Sequence, residues 1–542
     1  MKKYGIYLAY PPSTDLRSEG LGRYLSEFLK GAQARGDLLF VIACPSWMQK
    51  DLIELFDDAG LRHDCFEIIS PQRKKVLLLQ FYEAYLTFKR ILKEKGRLVL
   101  FFTWLREVRF HITTYVKIKL ASGSFTFLLV IGPLILIFIL LVIIFRVLRS
   151  FVAVFFTLTL KALRSFISFT DTKSYLDRIR GSLKQIKQNP FTELYRLMEE
   201  SEPSMMLSLI ERRSDISAWY SPAAFWPDFN KIQAPRLMCV PDVVLADFPV
   251  SFACEGGEPL LDHFRQVIES IEGGQYFVTY SENVKWRTLV ERYHIDSEVI
   301  KVVNHGANRL EDFLFVPGFP GNEEATDLLC RNLFRAALHK AVDNEYAGNF
   351  DSEEGIRFIF YASQFRPNKN IISLLKAYEY LLKRRYIGRK LILTGSPNHS
   401  PKIARFIIEH NLVNDVLCLP ELSSQELAAC YRLADLAVNT SLSEGGFPFT
   451  FTEALSVGTP VIMSRIAVTE EVITDPNLQE QMLFNPYDWK EMADKIEWGL
   501  NNHDALLETQ KRLYKRISKR TWSHVVDEHI EILDRISLVK QE

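Results

Sequence analysis

The chain reads as an α/β protein built on two doubly wound parallel sheets, the first interrupted by a helical, membrane-associated insertion. Three observations predict this. Short apolar runs alternate with helical stretches towards both ends of the chain, the pattern of parallel strands joined by crossover helices. The length of 542 residues accommodates about three or four domains at roughly 150 residues each. Residues 125–145 form one uninterrupted apolar stretch that leaves no polar face for water.

The first α/β unit begins with a strand over residues 2–10, too short and too early for a signal peptide, so a cytoplasmic start is expected. A glycine-containing loop (Ser18, Glu19, Gly20, Leu21, Gly22), a helix over 23–35, a strand over 38–44 and a helix over 47–60 follow. The pattern resumes with strands at 217–219, 236–240, 276–280 and 299–303. Residues 308–355 are polar, acidic in their second half, and read as a connection. The second unit has five predicted strands, at 357–361, 390–394, 416–419, 436–439 and 461–463, alternating with helices at 371–384, 400–410, 424–434, 451–457 and 489–501. The expected organisation is therefore 1–75 and 201–345 for the first Rossmann-like domain, 76–200 for the insertion, 346–510 for the second domain and 511–542 for a C-terminal crossover helix.

Within the insertion, residues 125–145 carry no charge over 21 positions, about 31 Å of helix against a hydrocarbon core of ~30 Å. Arg106, Arg109, Lys117 and Lys119 precede the run, and Arg146, Arg149, Lys161 and Arg164 follow it. The positive-inside bias pulls both ends to the cytoplasm. Gly132 and Pro133 break the run near its middle, which suits a re-entrant wedge. A two-pass hairpin using 151–169 is the rival, although 146–169 better suits a basic amphipathic helix at the interface. Either arrangement keeps the remainder on one side, expected to be the cytoplasmic face of the plasma membrane.

Composition narrows the chemistry. The 66 basic and 66 acidic residues cancel, removing the chain-wide positive field of a nucleic-acid binder. Seven scattered cysteines contain no C-x-x-C pair, so neither a disulfide framework nor a zinc ribbon is indicated. No D-x-D tract or metal-ligand spacing is present, and neither a metal nor a cofactor is expected.

The most informative stretch is 439–460, NTSLSEGGFPFTFTEALSVGTP. Glu444 follows a strand end, and Gly445 and Gly446 let a backbone approach a ligand closely. The next helix then presents unpaired N–H groups suited to phosphate. Glu453, expected in that helix's first turn, can accept two hydroxyl hydrogen bonds, as a ribose diol would offer. Complementing the helix dipole is its other reading, and spacing alone leaves both open.

This stretch resembles the sugar-nucleotide signature of the retaining glycosyltransferases of family 4. That resemblance implies the GT-B fold, two Rossmann-like domains facing a cleft. In that family two glutamates flank the loop with seven residues between them, the first near the donor sugar and the second on the ribose. Here Glu444 and Glu453 have eight between them. The segment 361–370, YASQFRPNKN, is similar to the family's basic motif that holds the donor pyrophosphate. Lys369 matches its lysine, and Arg366 stands nearest its arginine, whose position is Gln364. Fixed cations there would stabilise the charge growing on the leaving diphosphate.

The likeness extends to Gly395 after a strand, to 416–427 with Leu419 beside a nucleobase, to Gly20 and Gly22 in the N-terminal loop, and to Phe447 beside the glycine pair. Trp522 falls in the segment resembling the crossover helix. Asp242 lies where relatives carry a His-Asp pair, with Pro241 in the histidine's place. It either orients a sugar hydroxyl or satisfies local backbone amides. His305 precedes Gly306 at a strand end facing the expected cleft, as a ligand contact or, more commonly, a packing residue.

The resemblance thus implies a retaining hexosyltransferase, with mannose as first guess, taking a nucleotide-diphosphate sugar to a lipid-linked or polysaccharide acceptor at the membrane. Catalytic roles fall to Glu444, Asp242 and Lys369; donor contacts to Glu453, Arg366, Lys369, Gly445, Gly446, Phe447, Gly22, Gly395 and Leu419. Membrane lipids are expected partners, and nucleic acid is not. The alternative is a non-catalytic membrane subunit that binds nucleotide-sugar or a partner enzyme.

Overall fold

A computed structural model describes residues 1–12, 14, 16, 20–71, 190–319, 321–341, 356–397 and 400–539. The expected membrane segment, 125–145, and the adjoining 146–169 lie outside the described residues. Among the described residues, no helix is long and apolar enough to cross a membrane. Residues Met1–Arg73 and Glu202–Glu542 form one compact unit, and Lys74–Ser201 a second. Of the second, only 190–201 are described, as the start of a helix, Pro190–Glu211.

The first unit contains two parallel sheets. The N-terminal sheet comprises β1 (Lys2–Tyr7), β2 (Leu38–Ala43), β3 (Phe66–Ile69), β4 (Trp219–Ser221), β5 (Arg236–Cys239), β6 (Tyr276–Thr279) and β7 (Ile300–Val302), in the order β3-β2-β1-β4-β5-β6-β7. Its central strands are apolar throughout because helices cover both faces. Gly5 of β1 pairs with Trp219 of β4, and a Cβ there would lie 2.2 Å from the indole. Only glycine lets that ring lie across the strand. Helix α1 (Gly20–Arg35) buries Tyr24, Leu25, Phe28 and Leu29.

The second sheet comprises β8 (Phe358–Tyr361), β9 (Lys390–Leu393), β10 (Val416–Cys418), β11 (Leu436–Asn439), β12 (Val461–Ser464) and β13 (Leu483–Phe484), in the order β10-β9-β8-β11-β12-β13. In both sheets the strand order reverses beside the first strand, between β1 and β4 and between β8 and β11. Ligands of such sheets sit at that switch point, outside the carboxyl ends.

Four expectations are corrected. The second sheet has six strands rather than five, because Leu483 and Phe484 pair with Met463 and Ser464. β3 adds a strand that its four residues and internal Glu67 concealed; Arg213 holds that carboxylate at 2.6 Å and 3.0 Å. The connection 308–355 contains helix α2 (Glu323–Ala341). Asn322 accepts the Ala325 amide, opening this helix, and Cys330, Phe334, Ala337 and Leu338 join the second core. The C-terminal crossover is not one helix. His503–Ile517 ends at Ser518, and α3 (Trp522–Val539) begins anew. α3 lies against the N-terminal sheet's helix: Arg35 reaches Asp527 at 2.5 Å, and the His529 ring sits 5.1 Å from Phe28.

Candidate active site

The switch point of the second sheet determines which groups meet. The loop after β8 turns through Pro367–Lys369 into a left-handed Asn370, φ 56°, before the helix Ile371–Arg384. The loop after β11 runs alongside. Leu442 N–H donates to Asn368 O at 2.7 Å, and Asn368 Nδ2 donates to Ser443 O at 3.2 Å. Thr440 Oγ1 donates to Lys369 O at 2.9 Å. These bonds bring Lys369 Nζ within 2.5 Å of Glu444 Oε1, which also accepts Ser441 Oγ at 2.6 Å. Burial works against the Lys369 ammonium, but the Glu444 carboxylate outweighs it and raises the lysine's pKa above its ordinary value. Arg366, at the start of the same turn, is exposed.

The facing groups come from the carboxyl ends of β5, β6 and β7. Asp242 follows β5; burial first, and then repulsion from Glu444, push its pKa up to about 6, against the pull of Lys369 and Arg366. Ser281 Oγ, after β6, donates to Gly445 O at 2.8 Å. Glu471 accepts the Glu282 and Asn283 amides at 3.0 Å and 3.2 Å. His305, after β7, lies between Tyr280 and Phe449, with ring centroids at 3.9 Å and 4.7 Å. Burial lowers its pKa to about 3, so the ring is neutral, and its buried Nδ1 has no hydrogen-bond partner.

The glycine pair receives a different explanation from the expected one. A Cβ on Gly445 would fall 1.8 Å from Pro241 O and 3.0 Å from Asp242 Cβ. One on Gly446 would fall 2.9 Å from both His305 Nε2 and Tyr280 Cβ. What the missing side chains admit here is the opposite sheet's loops. The helix that follows is Phe449–Ser456. Its first turn contains no acid, so Glu453 belongs to the second turn rather than the first. Glu453 is buried, and its Oε1 accepts Arg23 Nη1 at 2.7 Å and Asn308 Nδ2 at 3.1 Å.

The other expected residues scatter. Gly20 and Gly22 are inside helix α1 rather than in a loop, and a Cβ on Gly22 would strike Leu16 O at 1.9 Å. Gly395 is occupied with packing: a Cβ there would meet the Phe365 ring at 2.1 Å. Leu419 is fully buried, and its amide donates to Leu393 O at 2.8 Å. Phe447 is half-buried against Phe451, with ring centroids 5.3 Å apart. The structure therefore groups Lys369, Glu444, Asp242, Gly445, Gly446 and Glu453 along facing strand ends. Sequence reasoning missed Arg23, Asn308 and Ser441. Arg23, a cation directly after Gly22, carried a readable signal; Asn308 carried none. Among the described residues, no group of three or more His, Cys, Asp or Glu is arranged to hold a metal ion.

Comparison with known proteins adds the following. Residues 343–520 match the family of glycosyl transferases group 1. The chain is 28% identical over 209 residues to the MMP alpha-(1->4)-mannosyltransferase of Mycolicibacterium hassiacum, covering 38% of this chain and 49% of that protein. It is 24% identical over 236 residues to the O-antigen chain mannosyltransferase RfbU of Salmonella typhimurium, covering 43% and 54%. The matches span about half the length of these relatives. Among solved structures, Anabaena Alr3699/HepE, crystallised with UDP and glucose, aligns over 99% of this chain and 100% of its own, with a TM-score of 0.54 and 11% identity. That likeness concerns the fold.

Proposed function

We propose, on the premise that residues 343–520 belong to the glycosyl transferases group 1 family, that the chain transfers a hexose from a nucleotide-diphosphate sugar. The observation that carries this is the Lys369–Glu444 pair at the carboxyl ends of β8 and β11, followed by the helix that bears Glu453. Lys369 supplies a fixed positive charge where a diphosphate leaving group would gain negative charge, supported by exposed Arg366 and the amides opening Phe449–Ser456. Glu453 accepts the ribose hydroxyls. Glu444, bound to Lys369, faces the donor sugar, and Asp242 presents a carboxyl from the opposite sheet to a sugar hydroxyl.

The reaction we infer retains anomeric configuration: the acceptor hydroxyl attacks from the face the diphosphate leaves, and a donor phosphate oxygen takes its proton. The protein then works through position and charge. With Lys369 and Arg366 as counter-charges, turnover needs no divalent ion; complete loss in EDTA with recovery on adding manganese would contradict that. The names of the two mannosyltransferase relatives support mannose as the sugar. The apolar run at 125–145 and its basic flanks support a lipid-linked or polysaccharide acceptor at the cytoplasmic membrane face.

Donor hydrolysis tests the reading. UDP- and GDP-sugars are incubated with the full chain, Glu453→Gln and Lys369→Ala. Hydrolysis by the wild type that falls in both variants supports catalysis. Equal rates in all three proteins would remove it and leave a non-catalytic nucleotide-sugar-binding subunit.

A further inference from the structure

Glu453 is the most enclosed acid of the site, with 4% of its side chain exposed. A carboxylate so placed needs hydrogen-bonding partners to keep its charge. Two come from outside its own sheet, Arg23 Nη1 at 2.7 Å from the first turn of α1 and Asn308 Nδ2 at 3.1 Å from the segment after β7; from within that sheet's own helices, the buried Tyr431 hydroxyl also lies beside the carboxylate. Arg23 and Asn308 both act on Oε1.

The asparagine is itself oriented. Trp522 Nε1 donates to Asn308 Oδ1 at 3.3 Å, and because an indole N–H can only donate, the amide oxygen must face the indole and the NH₂ must face Glu453. Trp522 is held in turn by two glycines. A Cβ on Gly306 would sit 2.9 Å from Trp522 N, and one on Gly31 would sit 2.7 Å from Trp522 O. Helix α1, the segment after β7 and α3 thus converge on Oε1, and Oε2 takes no part in these bonds.

The geometry points to Arg23 and Asn308 as positioning residues that hold Glu453 by one oxygen so that the other receives a ribose hydroxyl, which sets a preference for ribonucleotides over 2′-deoxyribonucleotides. This rests on the donor-site reading above. Arg23 helps keep the enclosed carboxylate charged, yet 47% of its side chain is exposed, so water can take over much of that role; orienting the carboxylate is what water cannot supply. A cation and an amide on one oxygen remove the carboxylate's freedom to rotate both lone-pair sets away from the diol.

The test is calorimetric. Affinities for UDP, 2′-deoxy-UDP, GDP and 2′-deoxy-GDP are measured on the full chain and on Arg23→Ala, Arg23→Lys, Asn308→Ala and Glu453→Gln, with thermal unfolding in parallel. The wild type should prefer the ribonucleotide by about tenfold, the size of one hydrogen bond to a charged group. Arg23→Ala and Asn308→Ala should each lose most of that preference at temperatures well below their own unfolding, and Arg23→Lys should regain part of it. An unchanged ratio in Arg23→Ala and Asn308→Ala overturns the assignment while leaving the donor site standing. So does tighter binding of both nucleotides by Arg23→Ala, which would make the arginine a competitor of ribose. A wild type that binds none of the four, or whose binding is indifferent to Glu453→Gln, sinks the donor-site reading and this inference with it.

Discussion

The two sheets are built alike, all-parallel and with one switch point each, yet their strand ends present opposite chemistry. The second sheet keeps its charges. Lys369 and Glu444 are paired 2.5 Å apart in loops laced together by backbone bonds, and Arg366 stands exposed beside them. The first sheet suppresses its own: His305 is driven down to about 3, Tyr280 is pushed well above its ordinary value, and Asp242 rises to about 6, all chiefly by burial. The difference teaches that one fold used twice can keep charge at one set of strand ends and suppress it by burial at the other. Under the donor reading proposed above, the second lobe meets the diphosphate with Lys369, while the first lobe's strand ends bring mostly uncharged side chains and Arg23 enters from its helix. Asp242 facing Glu444 is the exception, and its raised pKa records the repulsion.

Four variants break or sharpen this contrast. The largest effect is expected from Lys369→Ala, which removes the second sheet's enclosed cation and should lower donor turnover by about a hundredfold or more. A drop of less than fivefold in steady-state rate would mean the charge lies elsewhere. Gly445→Ala is expected next. The added methyl would collide with Pro241 O, so turnover should fall by about tenfold or more while nucleotide affinity, measured calorimetrically, changes only a few-fold. Equal losses in both would mean that the loop serves the ligand rather than the approach of the lobes.

Asp242→Asn addresses the exception. The Asp242 pKa is raised from 3.8 to about 6 in the folded chain, so its contribution to stability is complete below the unfolded value and declines as pH rises through about 6. The variant should therefore melt a few degrees higher than the wild type at pH 8 and lose that advantage near pH 4. A melting difference that does not vary with pH would refute the assignment. The smallest effect belongs to Arg366→Ala, whose exposed side chain should weaken nucleotide binding by only about two- to threefold, read from the same calorimetry.

Much of the architecture was legible from local pattern. Eleven of the thirteen strands among the described residues follow from short apolar runs bounded by turn residues, as at Leu436–Asn439 and Arg236–Cys239. Edge elements escaped because they carry little apolar signal: β13 is only Leu483 and Phe484, and β3 includes Glu67. Helix Glu323–Ala341 was hidden by its charged outer face, although Asn322 marked its start. At the site, Glu444 stood out by its place after a strand, and Lys369 through the resemblance of 361–370 to a basic motif. Gly22 and Gly395 pack closely against Leu16 and Phe365, contacts that local pattern does not disclose.

The order of apolar and polar residues determined that the chain would form parallel sheets with a charged loop after β8 and an acidic, glycine-bearing loop after β11, because alternation and turn chemistry act over a few residues. Partnership across the sheets was decided only in three dimensions. Arg23 and Glu453 lie 430 positions apart, and Asn308 and Trp522 lie 214 apart. No local rule couples such positions. They meet because the two sheets turn their carboxyl ends towards each other and α3 returns to pack on α1, so that buried charge and amide find partners that chain proximity could not supply.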